Sequence, residues 1–248
     1  MDGWWSSFFD ETYSTIGLES TDEAKREATV DAIANLLGVA PGAHIFDQCC
    51  GIGRISVPLA RRGFRVTGVD LIPRYAELAK ERAPSGDFHA ADAFEFVAPT
   101  PCDGAINWFT SFGYHHDDAV NVQMLRRAYE SLKPGAKLAL DYVNVPRVFA
   151  EYKSVTLDRL PQANGEMWLI QEPSVDFVRG MLLGTWTFLR PDGTREVRKV
   201  ENRAFMPHEL VRLFHEAGFV EVTLYGPDGK PFERTSRRLV IVGKRSDS

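Results

Sequence analysis

The sequence predicts an α/β fold built on a mainly parallel sheet, and two features of its first 145 residues support this prediction. Short apolar segments that suit strands alternate with segments in which apolar residues recur at helical spacing. A glycine-containing turn, Asp47-Gln48-Cys49-Cys50-Gly51-Ile52-Gly53, also joins the first of these strands directly to a helix. Strands and helices that alternate at this interval form βαβ units, whose strands pair in parallel.

The alternating region contains five predicted strands with helical segments between most of them. The strands cover residues 44–47, 64–70, 87–90, 104–108 and 136–143. Helical periodicity follows Gly53, continues from Arg74 to Arg82 and reappears from Val120 to Leu132, and a Pro134-Gly135 turn precedes the fifth strand. Each helix therefore connects two strands of one sheet.

The helical periodicity of apolar residues is absent between about residues 165 and 205, where only strand patterns are found. The predicted strands cover 167–170, 181–189 and 194–200, and the turn Pro191-Asp192-Gly193 joins the last two. We expect a small antiparallel β insertion over residues 151–205, after the fifth strand. A helix from Pro207 to Gly218 and two strands, 220–225 and 239–242, follow it.

The region before the first strand is predicted to be helical. Residues 21–38 show helical spacing, and an aromatic cluster on short helical turns precedes them: Trp4, Trp5, Phe8, Phe9 and Tyr13. These rings either pack on the core or form a lid over a ligand site, and the lid is favoured. We expect a helical cap at residues 1–40 and an α/β domain at residues 41–248.

Composition and charge exclude several function classes. The formal net charge is -5 at pH 7 and the sequence pI is about 5.7, so no global positive field favours nucleic acid or anionic lipid. The N-terminus lacks the features of a signal peptide, and no apolar run approaches the ~20 residues of a membrane span. The three cysteines form neither a disulfide framework nor a spaced zinc site, and a cytoplasmic protein is expected.

The glycine turn and two acidic residues predict an adenosine site. Ligands of an open α/β sheet lie beyond the carboxyl ends of its strands, where the turn at Gly51 and Gly53 lets a ligand approach the backbone. Asp70 ends the second strand, nineteen residues after Gly51, where a carboxylate can accept hydrogen bonds from both ribose hydroxyls. Asp92 follows the third strand and could accept from an adenine amino group, although a helix-capping role is equally compatible with its position.

A nicotinamide cofactor is disfavoured by the glycine spacing. The dinucleotide fingerprint G-x-G-x-x-G needs a third glycine for close helix packing. That position falls on Ser56 when counted from Gly51, and on Arg54 when counted from Cys49. The fingerprint is therefore absent.

Four ordered segments resemble the motifs of class I methyltransferases that use S-adenosylmethionine (SAM). They are Phe46-Asp47-Gln48-Cys49-Cys50-Gly51-Ile52-Gly53-Arg54, Val66-Thr67-Gly68-Val69-Asp70, Ala91-Asp92-Ala93 and Leu132-Lys133-Pro134-Gly135-Ala136-Lys137-Leu138. The resemblance implies a Rossmann-like seven-stranded sheet of order 3-2-1-4-5-7-6, with strand 7 antiparallel, and SAM as the cofactor. Cys49 stands where the family usually has glycine.

The resemblance also implies roles for individual residues around SAM. Asp47 would hold the motif loop near the amino-acid end, which Gly51 and Gly53 would line. Asp70 would bind the ribose, Leu71 would cover one adenine face, and Asp92 and Ala93 would meet the adenine edge. Asn107 would face the methionine moiety, and Arg54 and Tyr13 would reach its carboxylate.

The segment after the fourth strand, residues 108–118, is where the family lines the acceptor pocket. Tyr114, His115 and His116 are its candidate catalytic residues, since histidine can take a proton near neutral pH. Alternatively, both histidines are solvated residues of a loop. A metal site from His115 to Asp118 is not expected, because consecutive side chains converge poorly on one ion.

Methyl transfer from SAM to nitrogen or oxygen of a small-molecule acceptor is the function that the resemblance implies. The antiparallel insertion is similar to that of glycine and amino-sugar N-methyltransferases, in which such a sheet builds the acceptor side or an oligomer contact, so a homodimer is considered. A non-catalytic SAM-binding or regulatory protein, and a methyltransferase acting on a protein or nucleic acid, stay open as alternatives. Amino-methylation of a base is disfavoured, because Asn107-Trp108-Phe109-Thr110 lacks the required Pro-Pro.

Overall fold

The computed structural model describes residues 3–10, 13–14, 23–162 and 165–247, and its largest element is a seven-stranded sheet. Its strands are β1 (His44–Gln48), β2 (Arg65–Asp70), β3 (Asp87–Ala90), β4 (Cys102–Asn107), β5 (Leu132–Val143), β10 (Val220–Tyr225) and β11 (Arg238–Lys244). The spatial order is β10-β11-β5-β4-β1-β2-β3, and β11 runs antiparallel to both of its neighbours. The predicted order 3-2-1-4-5-7-6, with the last strand antiparallel, is confirmed.

Helices cover both faces of this sheet, which explains why its central strands are apolar runs. The described helices are α1 (Trp4–Phe8), α2 (Glu23–Leu37), α3 (Ser56–Arg61), α4 (Pro73–Arg82), α5 (Asp118–Glu130), α6 (Val145–Ala150) and α7 (Pro207–Glu216). Successive residues of β1 serve the two faces. Ile45 packs in the cluster that contains Ile33 of α2, whereas Phe46 belongs to the cluster that contains Leu125 of α5 and Leu213 of α7.

A second sheet follows α6, where the antiparallel insertion was predicted. It consists of β6 (Thr156–Gln162), β7 (Gly165–Asp176), β8 (Met181–Leu189) and β9 (Arg195–Arg203), paired antiparallel in that order. The sequence prediction contained three of these strands and missed β6. That strand lies at the edge of its sheet and carries charged residues and a proline, so it lacks an apolar pattern.

The described N-terminal residues pack on this second sheet. Phe8 and Tyr13 are buried in a cluster with Met167, Leu169 and Phe188 of β7 and β8. Most of the remaining residues before 23 lie outside the described residues. Within the described ranges, no helix is long and apolar enough to cross a membrane.

Candidate functional site

The turn between β1 and α3 takes a backbone conformation that few side chains adopt. Cys49, Gly51 and Gly53 have φ values of 63°, 54° and 83°, all in the left-handed region. Cys49 therefore holds the conformation that glycine would take there without strain. The amide of Gly51 is aimed out of the turn and donates to Asp70 Oδ2 at 2.8 Å.

Gly53 serves the packing of this turn instead of the ligand surface. A Cβ atom there would lie 2.8 Å from Val57 Cγ2 and 3.3 Å from Ala79 Cβ of α4. Gly53 is not among the residues that border the cavity described below. The contact with α4 accounts for a glycine at this position, and its place at the amino-acid end of SAM stays a prediction.

Asp70 ends β2 with both carboxylate oxygens oriented by the backbone. Oδ2 accepts from Gly51 N at 2.8 Å and Oδ1 accepts from Ile72 N at 3.0 Å. Burial raises the pKa of this carboxyl to about 6, and the backbone hydrogen bonds oppose that rise. Each oxygen keeps acceptor capacity for a ligand, so the side chain suits a pair of hydroxyl donors.

Asp47 lies deeper, at the end of β1, and is buried. Its Oδ2 accepts from Ser56 Oγ at 2.5 Å, which ties the strand to the first residue of α3. Burial raises the pKa of Asp47 to about 7; the Ser56 hydrogen bond opposes this rise and the nearby Asp70 adds to it. The two carboxyls therefore form a negative edge beside the glycine turn.

The residues expected around adenine border the same space. Asp92 follows β3, and its Oδ1 accepts from Phe94 N at 2.9 Å. Ala93 and Leu71 also line the cavity, and the Leu71 side chain is exposed. Phe94 is buried beside Ala93. The arrangement leaves an apolar slot bounded by Leu71 and Ala93, with an acid at its edge.

The turn after β4 brings an aromatic ring against Arg54. Phe109 and Thr110 have φ values of 60° and 61°, so two consecutive non-glycine residues are left-handed. The Arg54 guanidinium carbon lies 3.9 Å from the centroid of the Phe109 ring. Stacking of this kind fixes the plane of the guanidinium and of its N–H donors, which is the geometry that binds a carboxylate. Strain of this kind concentrates at functional sites.

One cavity of about 740 Å³ connects these features to the second sheet. It begins at the carboxyl ends of β1, β2 and β4 and extends to residues of β6, β7, β8 and β9. Aromatic residues form much of its wall: Trp4, Trp5, Phe8, Phe9, Tyr13, Tyr75, Trp108, Phe109, Tyr114 and Trp186. The cavity therefore offers room for two ligands, one at the glycine turn and one beside the aromatic wall.

Most of the residues predicted from the sequence border this cavity. Those that do are Tyr13, Asp47, Gly51, Arg54, Asp70, Leu71, Asp92, Ala93 and Tyr114. Gly53, Asn107, His115 and His116 do not. The fold thus brings together Tyr13 of the N-terminal segment and residues at or just after the carboxyl ends of β1, β2, β3 and β4.

Asn107 lies beneath the cavity floor. It is fully buried, and its Nδ2 donates to Gln48 Oε1 at 3.2 Å. Gln48 in turn donates to the carbonyl oxygens of Ala93 and Met124, at 3.3 and 3.0 Å. Asn107 thus supports Ala93, which lines the cavity, through Gln48, and its predicted place facing the methionine moiety stays a prediction.

The two histidines lie outside the cavity, on the surface. His116 Nε2 is 3.0 Å from Glu201 Oε2, and its Nδ1 accepts from Arg179 Nη2 at 2.8 Å. His115 Nδ1 accepts from the backbone amide of Asp117 at 3.1 Å. Among the described residues, no group of acids, histidines and cysteines is arranged to hold a metal ion.

The second sheet contributes cavity residues that sequence reasoning missed. Gln171 on β7, Leu182 and Trp186 on β8 and Asn202 on β9 all border the cavity. Tyr75 on α4 also lines it and donates its hydroxyl to the Asp10 carbonyl at 2.6 Å. No motif marks these positions, because their role depends on how the second sheet packs against the first.

Comparison with known proteins decides the family. Residues 45–135, which include β1 to β4 and the glycine turn, match the family described as methyltransferase domain. The chain contains a class I SAM-dependent methyltransferase domain. The oriented carboxylate of Asp70 and the side-chain-free approach at Gly51 fit the adenosyl group of this donor.

Solved methyltransferase structures share the fold over nearly the whole chain. The CcbJ methyltransferase from Streptomyces caelestis superposes with a TM-score of 0.77 at 16% identity, covering 94% of this chain and 96% of that one. A SAM-bound amino pentose methyltransferase from Micromonospora echinaspora gives 0.73 at 20% identity, covering 96% and 98%. These likenesses establish the fold, including the second sheet.

A curated relative matches about a third of the chain. The 23S rRNA (uracil(1939)-C(5))-methyltransferase RlmD of Shewanella amazonensis is 35% identical over 86 residues. The match covers 33% of this chain and 19% of that relative, so the chain spans about a fifth of the relative's length.

Proposed function

We propose that this protein transfers a methyl group from SAM to a nitrogen or oxygen atom of a small-molecule acceptor. The observation that carries the proposal is the single cavity, which runs without a partition from the glycine turn to the aromatic wall. A donor at the turn and an acceptor at the wall would meet inside one enclosure. Alignment of two bound reactants is the main demand that this reaction makes on a protein.

The end of the cavity at the glycine turn is proposed to bind SAM. Asp70 accepts hydrogen bonds from the two ribose hydroxyls, and Leu71 packs on adenine. Asp92 and Ala93 meet the adenine edge. The Arg54 guanidinium, stacked on a ring, donates to the methionine carboxylate. Tyr13 borders the same space and is proposed to approach that carboxylate with its hydroxyl.

The far end of the cavity is proposed to bind the acceptor. Its surface combines rings such as Tyr114 and Trp186 with the neutral amides of Gln171 and Asn202. Rings and neutral amides suit a compact molecule that has apolar faces and a few hydrogen-bonding groups. The similar fold of an amino pentose methyltransferase supports an acceptor of this size.

The proposed reaction is an in-line displacement, which the protein promotes by holding the donor and the acceptor in line. When bound, SAM supplies a methyl group made electrophilic by its sulfonium. The acceptor lone pair would bond to the methyl carbon while the carbon–sulfur bond breaks and leaves its electron pair on sulfur. The proton lost by the methylated nitrogen or oxygen would pass to water. Burial raises the pKa of Tyr13 to about 12 and that of Tyr114 well above its usual range. Both phenols therefore stay protonated near pH 7 and act as hydrogen-bond donors.

Calorimetry and a turnover assay test this proposal. S-adenosylhomocysteine and SAM should bind, whereas NAD and NADP should give no heat. Conversion of SAM to S-adenosylhomocysteine should then depend on an added small amine or hydroxyl compound. Turnover only with RNA or protein would refute the acceptor class. Binding of SAM without turnover for any acceptor would favour the non-catalytic alternative.

The proposed domain division is tested separately. We propose a helical cap at residues 1–40 and a SAM-binding domain at residues 41–248, with the insertion at 151–205. Removal of residues 1–15 should leave a folded protein that no longer turns over SAM, because a lid excludes water and completes the site. Undiminished turnover would show that the N-terminal aromatic residues only pack against the core and do not form a lid.

A further inference from the structure

Asp10 lies where three parts of the molecule meet. Its carboxylate takes a two-pronged contact from Arg198 of β9, with Nη1 3.0 Å from Oδ1 and Nη2 2.9 Å from Oδ2. Oδ1 also accepts from the amide of Tyr13 at 2.7 Å. The Asp10 carbonyl accepts from Tyr75 Oη of α4 at 2.6 Å. One residue thus connects the N-terminal segment to the second sheet and to the SAM-binding domain.

The Arg198 side chain is buried although it is charged. Only 7% of it is exposed, and Nη1 also donates to the carbonyl of Phe8. The rings of Phe8, Tyr13 and Phe188 surround its guanidinium at 5.6 to 6.0 Å. A buried guanidinium needs partners that satisfy its donors, and two of those partners belong to the N-terminal segment.

Arg198 has a second acidic partner besides Asp10, on its own strand. Glu196, two residues along β9, already lies against the guanidinium, and its Oε1 accepts from Nε at 2.6 Å. Asp10 is 46% exposed and comes from a different part of the chain. Of the two acids, only Asp10 therefore connects Arg198 to the N-terminal segment, and the contact fixes where that segment lies.

The residues that this contact fixes are cavity residues. Trp4, Trp5, Phe8, Phe9 and Tyr13 all border the cavity, and together they contribute five of its eleven aromatic residues. Their rings interlock with Tyr114 and Trp186, at centroid distances of 4.8 Å between Trp4 and Tyr114 and 5.3 Å between Phe8 and Trp186. A shift of Asp10 would move one side of the cavity relative to the other.

We propose that Asp10 and Arg198 are positioning residues that hold the N-terminal aromatic segment closed over the cavity. Tyr75 completes the arrangement by anchoring the Asp10 carbonyl to the wall that also carries Asp70. Opening of this contact is the step that admits and releases the ligand bound at the glycine turn. The last statement rests on the proposed function, whereas the positioning of the segment does not.

The test compares Asp10→Asn with Asp10→Glu and with a matched control. Asparagine keeps the size of the side chain but removes its charge, and glutamate keeps the carboxylate. The control is Glu166→Gln, which removes an exposed ion pair with Arg159 on the same sheet, 3.9 Å long and away from the cavity. Amide hydrogen exchange of the ligand-free protein and the dissociation rate of S-adenosylhomocysteine are measured for each.

Asp10→Asn should speed exchange in residues 3–10 by at least about tenfold, since charge-assisted hydrogen bonds contribute on that scale. Exchange in β1 should not change, which separates positioning from general destabilisation. S-adenosylhomocysteine should dissociate faster from Asp10→Asn, Asp10→Glu should recover part of both effects, and Glu166→Gln should match the wild type. Exchange in residues 3–10 within twofold of wild type, or an equal increase in β1, would overturn the proposal. A wild-type protein that binds no S-adenosylhomocysteine would refute the proposed function, while the exchange data would still decide the role of Asp10.

Discussion

Arg238 is the counter-charge of a buried carboxylate that holds the turn after β4, and its replacement by methionine should destabilise the protein strongly. Asp141 of β5 accepts from Arg238 Nε at 2.5 Å through Oδ1 and from the amide of Phe109 at 2.9 Å through Oδ2. The Asp141 carbonyl accepts from the amide of Thr110 at 3.2 Å, and Arg238 donates to the Thr110 hydroxyl. The two left-handed residues of the turn are thus both held by this pair.

The expected size of the effect follows from burial. The Asp141 side chain is 2% exposed and that of Arg238 is 25% exposed. Burial raises the pKa of Asp141, and Arg238 opposes that rise, so the arginine keeps a buried carboxylate ionised. Removing one partner of a buried pair costs about 3–5 kcal/mol, and the partial exposure of Arg238 places this case near 3 kcal/mol. For a chain of this length that corresponds to a melting temperature lower by about 6–12 °C.

A thermal-unfolding cycle tests the reasoning. It needs Arg238→Met, Asp141→Asn, the double variant and Arg237→Met, whose side chain is exposed next to the pair. The double variant should be less destabilised than the two single losses added together, by at least about 1.5 kcal/mol, because the uncompensated charge is gone. Arg237→Met should change stability by less than about 0.5 kcal/mol. A loss below 1 kcal/mol for Arg238→Met, or additive losses in the double variant, would refute the account.

Three further predictions concern the cavity and its surroundings. The affinity for S-adenosylhomocysteine should rise between pH 5 and pH 7, because the Asp70 carboxyl, with its pKa raised to about 6, accepts ribose hydroxyls best when ionised. Asp70→Asn should bind more weakly and with a smaller pH dependence, since only Asp47, with its pKa raised to about 7, still titrates beside the site. An equal pH dependence in both proteins would contradict the assignment. Gly53→Ala should lower stability by about 2 kcal/mol, because the new Cβ meets Val57 Cγ2 at 2.8 Å and φ is 83°; an unchanged melting temperature would contradict it. His115→Ala and His116→Ala should leave S-adenosylhomocysteine affinity and turnover within about twofold of wild type, since both residues lie outside the cavity. A large loss of turnover in either variant would show that a histidine takes part in the reaction.

The central sheet was predictable because its signals are local. Strands buried on both faces are continuous apolar runs, and β1 is buried at all five positions. Asp70 follows such a run directly, so its place at the carboxyl end of β2 follows from the strand boundary alone. The edge strand β6 gave no comparable signal because it is largely exposed, and α6 gave none because Val145 is its one buried residue.

The spacing of residues in the sequence does not show in which direction the loop before α5 runs, and this direction decides where the two histidines lie. Asp117 accepts from the amide of Ala119 at 2.9 Å and caps α5, which fixes the direction in which the preceding residues leave the helix. His116 is thereby turned toward Arg179 and Glu201 of the second sheet, whereas Tyr114 stays in the cavity. Residues one or two positions apart in the sequence therefore lie on opposite sides of the wall.

The two ends of the cavity differ in the source of their residues, and this difference bears on specificity. The end proposed for SAM is built from turns that directly follow β1, β2 and β3, so its geometry is fixed by the sheet and the match to the family covers it. The other end is assembled from α1, the turn after β4 and the second sheet, whose relative placement depends on contacts such as that between Asp10 and Arg198. Substitutions at Trp186 or Asn202 can change the size and polarity of that end without touching any residue beside Asp70. We therefore expect acceptor preference to follow the second sheet and the N-terminal segment, while SAM affinity follows the glycine turn and Asp70.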